Sequence, residues 1–201
     1  MHFDTDKIQF RQVFSNRRGS FSHTETDFEN RFGFTSEQFL VIENRFVKRY
    51  AEETRRVAET GSDSVRRVEL LEMAENCAWV AENPARDFRT AMQLQWFVMV
   101  FVRLEQMNGA SLGNARMDQH LLPYYQQDIA NGKLTRAQAK ELLECYWLNL
   151  SQITLVPIAE SSSKLFEAYA HFETVTIGGQ TRDGADATNE LSYLILESKQ
   201  G

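Results

Sequence analysis

Asn108-Gly-Ala-Ser-Leu-Gly-Asn-Ala-Arg116-Met-Asp-Gln-His-Leu-Leu-Pro-Tyr-Tyr-Gln-Gln-Asp128 is the stretch on which the reading of this chain turns. It joins an apolar helix to a polar turn, and the turn to an aromatic-rich second helix. Gly109 is suited to end the first helix, because glycine adopts the left-handed conformation without a Cβ penalty. Pro123 bends or breaks the second helix, since proline lacks the amide hydrogen that a helix interior needs.

Upstream, residues 85–107 carry Met92, Leu94, Trp96, Phe97, Val98, Met99, Val100, Phe101 and Val102. This pattern leaves no polar face at the middle of the helix, so the helix must be covered on every side. Asn83-Pro84 stops the preceding helix and, with Asn83 as cap and Pro84 in the first turn, starts this one. Further back, Thr35 or Ser36 caps a helix running to Thr60, with Phe39, Ile42, Phe46 and Tyr50 on one stripe. Gly61 follows at its end. Ser62 or Asp63 caps the next helix, with Val65, Val68, Leu71, Ala74 and Ala78 expected to face inward. Residues 1–34 show no sustained periodicity and read as a poorly structured arm.

Downstream, Gly132 separates the aromatic helix from another. There Thr135 and Gln138 have capping-box spacing, and Leu142, Leu143, Tyr146, Leu150 and Ile153 form the stripe. Thr174-Val-Thr-Ile alternates and ends in Gly178-Gly179, a strand signal. Ile153–Ile158 is a weaker strand candidate, with Pro157 against a central position. A last helix is expected over 189–198. One or two strands cannot make a stable sheet alone. The chain is therefore mainly α, either all-helical or a partial α/β body, with residues 35–201 as its structured part.

Bulk properties exclude several classes. A net charge of -6 and a pI near 5.3 argue against nucleic-acid binding. Arg17-Arg18, Arg55-Arg56 and Arg66-Arg67 each have acidic neighbours and read as solvated faces. Two cysteines make no disulfide framework. The longest apolar run, Trp96–Val102, is far shorter than the ~20 residues of a membrane span. With no signal-peptide pattern at the start, the expected setting is cytoplasmic. His2, His23, His120 and His171 show no metal spacing, and no metal site is expected. The glycines read as turn residues, because no phosphate-binding motif accompanies them.

Four motifs in order carry a resemblance to a known family. They are Arg66-Arg67-Val-Glu-Leu-Leu-Glu-Met-Ala-Glu-Asn-Cys77, Asn83-Pro-Ala-Arg-Asp-Phe88 with Ala91-Met-Gln-Leu94, the Asn108–Asp128 stretch, and Thr174-Val-Thr-Ile-Gly-Gly179 followed by Asp186-Ala-Thr-Asn-Glu-Leu-Ser-Tyr193. Together they resemble the front half of the barrel region in glycyl radical enzymes, the pyruvate formate-lyase superfamily. The resemblance implies an early portion of a ten-stranded α/β barrel with its surrounding helices. It also implies radical chemistry. A backbone glycyl radical, installed by a radical SAM activating enzyme, oxidises a cysteine to a thiyl, which abstracts hydrogen from a small organic substrate. Members cleave C–C, C–O, C–N or C–S bonds.

Residue by residue, Ser111 matches a serine that in several members faces the substrate's polar group. Ala110 stands where diol-dehydratase-like members have histidine, which weakens a reading of glycerol or diol dehydration. Ala115 replaces a glycine. Arg116 and Asp118, with Asn108, are expected to support the turn rather than touch substrate. The thiyl-cysteine loop, of G-C-x-E type, and the glycyl loop, of RV-x-GY type, do not occur in the sequence. Cys77 and Cys145 lie in expected helices beside large apolar residues and read as buried structural thiols. No bound cofactor is expected. The resemblance therefore implies a truncated or split product that is inactive alone. Its partners would be the missing C-terminal half or the activase, in a usually homodimeric enzyme. The alternative is a non-enzymatic helical interaction module.

Overall fold

The computed structural model describes residues 36–105, 111–152 and 172–200. The expected arm over 1–34 and the weak strand at 153–158 lie outside these residues. So do Asn108 and Ala110. The chain divides into two compact units, Met1–Pro84 and Ala85–Gly201.

The first unit is an α-hairpin. Helix α1, Ser36–Thr60, packs against α2, Ser64–Val80. Gly61 ends α1 through its amide, which donates to the Val57 carbonyl at 3.1 Å. Asp63 caps α2, accepting from the amides of Val65 at 2.9 Å and Arg66 at 3.2 Å. Lys48 of α1 pairs with Glu82 just beyond α2. Val47, Ala51, Ala58, Ala74, Cys77, Val80 and Ala81 are the buried apolar residues among those described in this unit, most of them small.

This corrects the expected inward row of α2. Val65 is 69% exposed and Val68 66% exposed, Leu71 and Ala78 are also exposed, and only Ala74 of that set is buried. The buried residues of α2 are Ala74, Asn76, Cys77 and Val80, with Ala81 just beyond its end, on the side of the helix away from Val65, Val68 and Leu71. Tyr50 of α1 is likewise exposed. In this hairpin the largest apolar side chains of α2 do not mark its buried side.

The second unit begins at α3, Phe88–Glu105. Its start is not Asn83-Pro84. Asp87 and Thr90 cap it reciprocally: the Thr90 amide donates to Asp87 Oδ1 at 2.8 Å, and the Asp87 amide to Thr90 Oγ1 at 3.0 Å. Asp128 adds a cap from a different helix, accepting the Phe88 amide at 2.8 Å. The Trp79 indole instead holds the Asn83-Pro84 corner by donating to the Pro84 carbonyl at 2.7 Å.

Strand β1, Ser111–Arg116, occupies what the sequence suggests is only a turn. It pairs in parallel with β2, Phe172–Thr176. Ser111 lies opposite Phe172, Gly113 opposite Thr174, and Arg116 opposite Thr176, with an irregularity between Gly113 and Arg116. Ala115, at φ 52°, sits inside that irregularity. Between the strands come α4, Met117–His120, α5, Leu122–Ala130, and α6, Arg136–Gln152. The break at Leu121 and Pro123 in the first turn of α5 match the sequence reading. The Thr135–Gln138 capping box forms: the Thr135 amide donates to Gln138 Oε1 at 2.9 Å and the Gln138 amide to Thr135 Oγ1 at 3.2 Å. Asn189 caps α7, Glu190–Ser198, again reciprocally with Ser192.

The core of this unit gathers Phe88, Phe97, Met117, Leu121, Leu143, Leu191, Leu194 and Ile195, all fully buried. Helix α3 meets α5, α6 and β1, and α7 meets α6. The expected stripe of α6 is present in Leu143, Tyr146 and Leu150, while Ile153 lies outside the described residues. Cys77 of the first unit is buried as expected. Cys145, on α6, is exposed, because it falls on the flank opposite that stripe. The architecture is therefore mainly helical with a two-stranded parallel sheet.

Candidate functional site

The site is built around the C-terminal ends of the two strands. Asp118 opens α4 and is fully buried. Its Oδ2 accepts the Gly178 amide at 2.6 Å and the Ser192 hydroxyl at 2.5 Å. The Asp118 carbonyl accepts from the Asn189 side chain at 3.0 Å. The neighbouring Gln119 donates to the Ala187 carbonyl at 2.8 Å. The Arg116 guanidinium reaches the Gly178 carbonyl and, at 3.1 Å, the Gln180 carbonyl.

These bonds tie the end of β1 to the glycine turn after β2 and to the first turn of α7. Residues some sixty to seventy positions apart in sequence are thereby held in register. Gly178 and Gly179 have φ of 65° and 85°, which an L side chain rarely adopts. At Gly179 a side chain would also meet the Arg116 guanidinium, 3.6 Å from the Cβ position. The expected turn supporters Arg116 and Asp118 thus reach past their own turn to a distant one. The sequence carries a signal for this in the glycine pair closing an alternating strand. Ser192 and Asn189, which donate to Asp118, and Gln119, which donates to Ala187, stand in the sequence only as members of the quoted motifs.

Behind the sheet, Asn114 is fully buried. The Tyr146 hydroxyl donates to its Oδ1, and Gln95 donates to the same oxygen at 3.4 Å. Trp96 stands edge-on to Tyr146, with ring centroids 6.3 Å apart. This polar contact links β1 to α3 and α6 inside an otherwise apolar layer, and it was not foreseen from the sequence.

Of the residues expected to face a substrate, Ser111 is the first residue of β1. Cys77 does not have the surroundings of a reactive thiol. Burial pushes the Cys77 thiol up to about 11, which keeps it protonated, and Cys145 lies on an exposed helix flank. Among the described residues no group of three or more His, Cys, Asp or Glu could hold a metal ion. No described helix is long and apolar enough to cross a membrane.

Comparison with known proteins matches these features. Residues 35–200 fit the pyruvate formate lyase-like family model. The chain is 51% identical over 155 residues to the isethionate sulfite-lyase of Desulfovibrio desulfuricans, covering 77% of this chain and 19% of that protein. It is 37% identical over 150 residues to the trans-4-hydroxy-L-proline dehydratase of Clostridioides difficile, covering 75% and 19%. Among solved structures, the glycerol-bound B12-independent glycerol dehydratase of Clostridium butyricum superposes with a TM-score of 0.71 at 35% identity, over 79% of this chain and 20% of that one. The chain spans about a fifth of the length of the curated relatives it matches. The family model covers most of the chain and the relatives match it over three quarters of its length, so the chain belongs to the pyruvate formate lyase-like family of glycyl radical enzymes.

Proposed function

We propose that this chain is the front part of a glycyl radical lyase that breaks a carbon–heteroatom bond in a small polar substrate, with C–S cleavage favoured. The observation carrying this reading is the gradient of likeness. Four isethionate sulfite-lyases stand at 47–51% identity, against 37% for the hydroxyproline dehydratase and 30% for the (2S)-3-sulfopropanediol dehydratase of Klebsiella oxytoca. Ala110, in place of a histidine, removes a candidate acid–base group and supports a substrate other than a small diol.

In this reading β1 and β2 are two strands of the barrel wall. Ser111 offers a hydroxyl to the substrate's polar group. Arg116 and Asp118 fix the strand ends, so that the wall is rigid before substrate arrives. The thiyl cysteine and glycyl loops come from sequence beyond these residues. The chain by itself is inert, and a radical SAM activase is the partner that installs the radical. A cytoplasmic, anaerobic setting goes with that chemistry.

A dehydratase is the second reading, favoured by 41% identity to the probable dehydratase YbiW of Escherichia coli. The test is to express the complete reading frame, activate it anaerobically with its activase, and offer isethionate, trans-4-hydroxyproline and glycerol. Sulfite release from isethionate is expected. Turnover of only the hydroxylated substrates would transfer the reading to dehydration. No radical under any condition would remove it.

A further inference from the structure

Parallel strands are ordinarily covered by helices on both faces and are correspondingly rich in Val, Ile and Leu. The β1–β2 pair departs from this on one face only. Asn114 is buried and Val175 half-buried on the helix side. On the other face Gly113, Thr174 and Thr176 are exposed. None of these three offers the bulk that would hold a covering helix. They offer space and hydroxyl groups instead, a composition suited to contact with a small polar molecule rather than to a packed layer.

Within that face the register singles out one residue. Thr174 pairs with Gly113, and a Cβ built on Gly113 would lie 3.3 Å from Thr174 Oγ1. The missing side chain at Gly113 therefore leaves room beside the threonine hydroxyl. Ser111 lies two residues back along β1, about 6.6 Å away at the rise of an extended strand. We propose that Thr174 is a specificity-determining residue, whose hydroxyl donates a hydrogen bond to an oxygen of the substrate's polar head group alongside Ser111. The inference rests on the radical-lyase reading above, and it adds a residue and a recognition chemistry to it. The ligand class is a small organic molecule whose head group presents hydrogen-bond-accepting oxygens, such as a sulfonate, a carboxylate or a polyol.

The test uses the complete activated enzyme with T174V, T174S and G113A, and the glycyl radical yield as the control for folding and activation. In T174V the shape is kept and the hydroxyl lost. KM is expected to rise about tenfold with kcat within about twofold, the size of one neutral hydrogen bond lost from ground and transition state alike. T174S, which keeps the hydroxyl, is expected to return KM to within about threefold of wild type. G113A crowds the hydroxyl and is expected to raise KM by less than T174V. Running the panel over isethionate and glycerol shows which head group the hydroxyl recognises. Wild-type kinetics in T174V overturns the inference, and so does equal damage in T174V and T174S, which would mean packing. A wild-type enzyme that carries the radical but turns over none of these substrates sinks the parent reading, and the inference with it.

Discussion

The α1–α2 hairpin and the strand-bearing unit after Ala85 are held by different physics. The hairpin is local. Its helices follow each other across Gly61, bury mostly small apolar side chains, and carry an ion pair between exposed groups, Lys48 and Glu82, a class worth at most about 1 kcal/mol. The second unit is non-local. Its strands have α4, α5 and α6 between them among the described residues, and its register depends on polar bonds of Arg116 and on buried ones of Asp118 to residues sixty or more positions later. The first unit would tolerate change along its outer face. The second would lose its strand ends if a single carboxylate were removed.

The largest effect in the second unit is expected from Phe88→Ala. This side chain is fully buried against Tyr125 beside the Asp128 cap, and its truncation is expected to cost about 3–5 kcal/mol. In hydrogen exchange on the complete enzyme, amides of α3 and α5 would exchange at least a hundredfold faster. Unchanged protection there would mean that the unit is not built around this residue.

Next comes Asp118→Ala. It strands the Gly178 amide and the Ser192 hydroxyl in a buried place, a loss of about 3 kcal/mol. Exchange is expected to accelerate at Gly178 and in the first turn of α7 while α1 and α2 stay at wild-type rates. Equal acceleration in the hairpin would break the contrast between the two regions.

Ala115→Gly is expected to act in the opposite direction. Ala115 holds a φ of 52°, where glycine carries no Cβ penalty, so relief of about 1 kcal/mol should slow exchange across β1. Faster exchange would show that the irregularity is not strained.

The thiols separate the regions by chemistry. In the folded chain at pH 8, an alkylating agent should label exposed Cys145 and spare Cys77. Because burial raises the Cys77 pKa above its ordinary value of 9.0, the neutral thiol stabilises the fold fully below pH 9, and that contribution is lost as pH climbs through about 11. Protection of Cys77 should fade over that window. Equal labelling of both thiols at pH 8 would place Cys77 at the surface.

Much of this fold is legible from sequence wherever local chemistry decides. Asp63, the Thr135–Gln138 pair, Pro123 and the glycine pair at 178–179 all announce themselves by residue type and spacing. What is not legible depends on partners distant in the chain. Ser111–Arg116 contains glycine, asparagine and alanine and has no strand signature. It becomes a strand because Phe172–Thr176 offers it a ladder. Hydrophobic bulk in α2 points to Val65, Val68 and Leu71, whereas the residues the fold buries are Ala74, Asn76, Cys77 and Val80. Within the site, the Arg116–Asp118 pair was visible as a motif, but its true reach, to Gly178 and Ser192, needed the fold. Thr174 became a candidate only once its register with Gly113 was known.

The most direct measurement is thermal unfolding of the 201-residue chain by circular dichroism, with ANS fluorescence alongside. The exposed Val65, Val68 and Leu71 row and the two-stranded sheet are expected to give a broad transition and strong ANS binding, the behaviour of part of a larger enzyme body. Replacing Val65 and Val68 by lysine should dim the ANS signal without changing helicity. A sharp cooperative transition with little ANS binding would contradict this, and would make the chain a self-sufficient helical module.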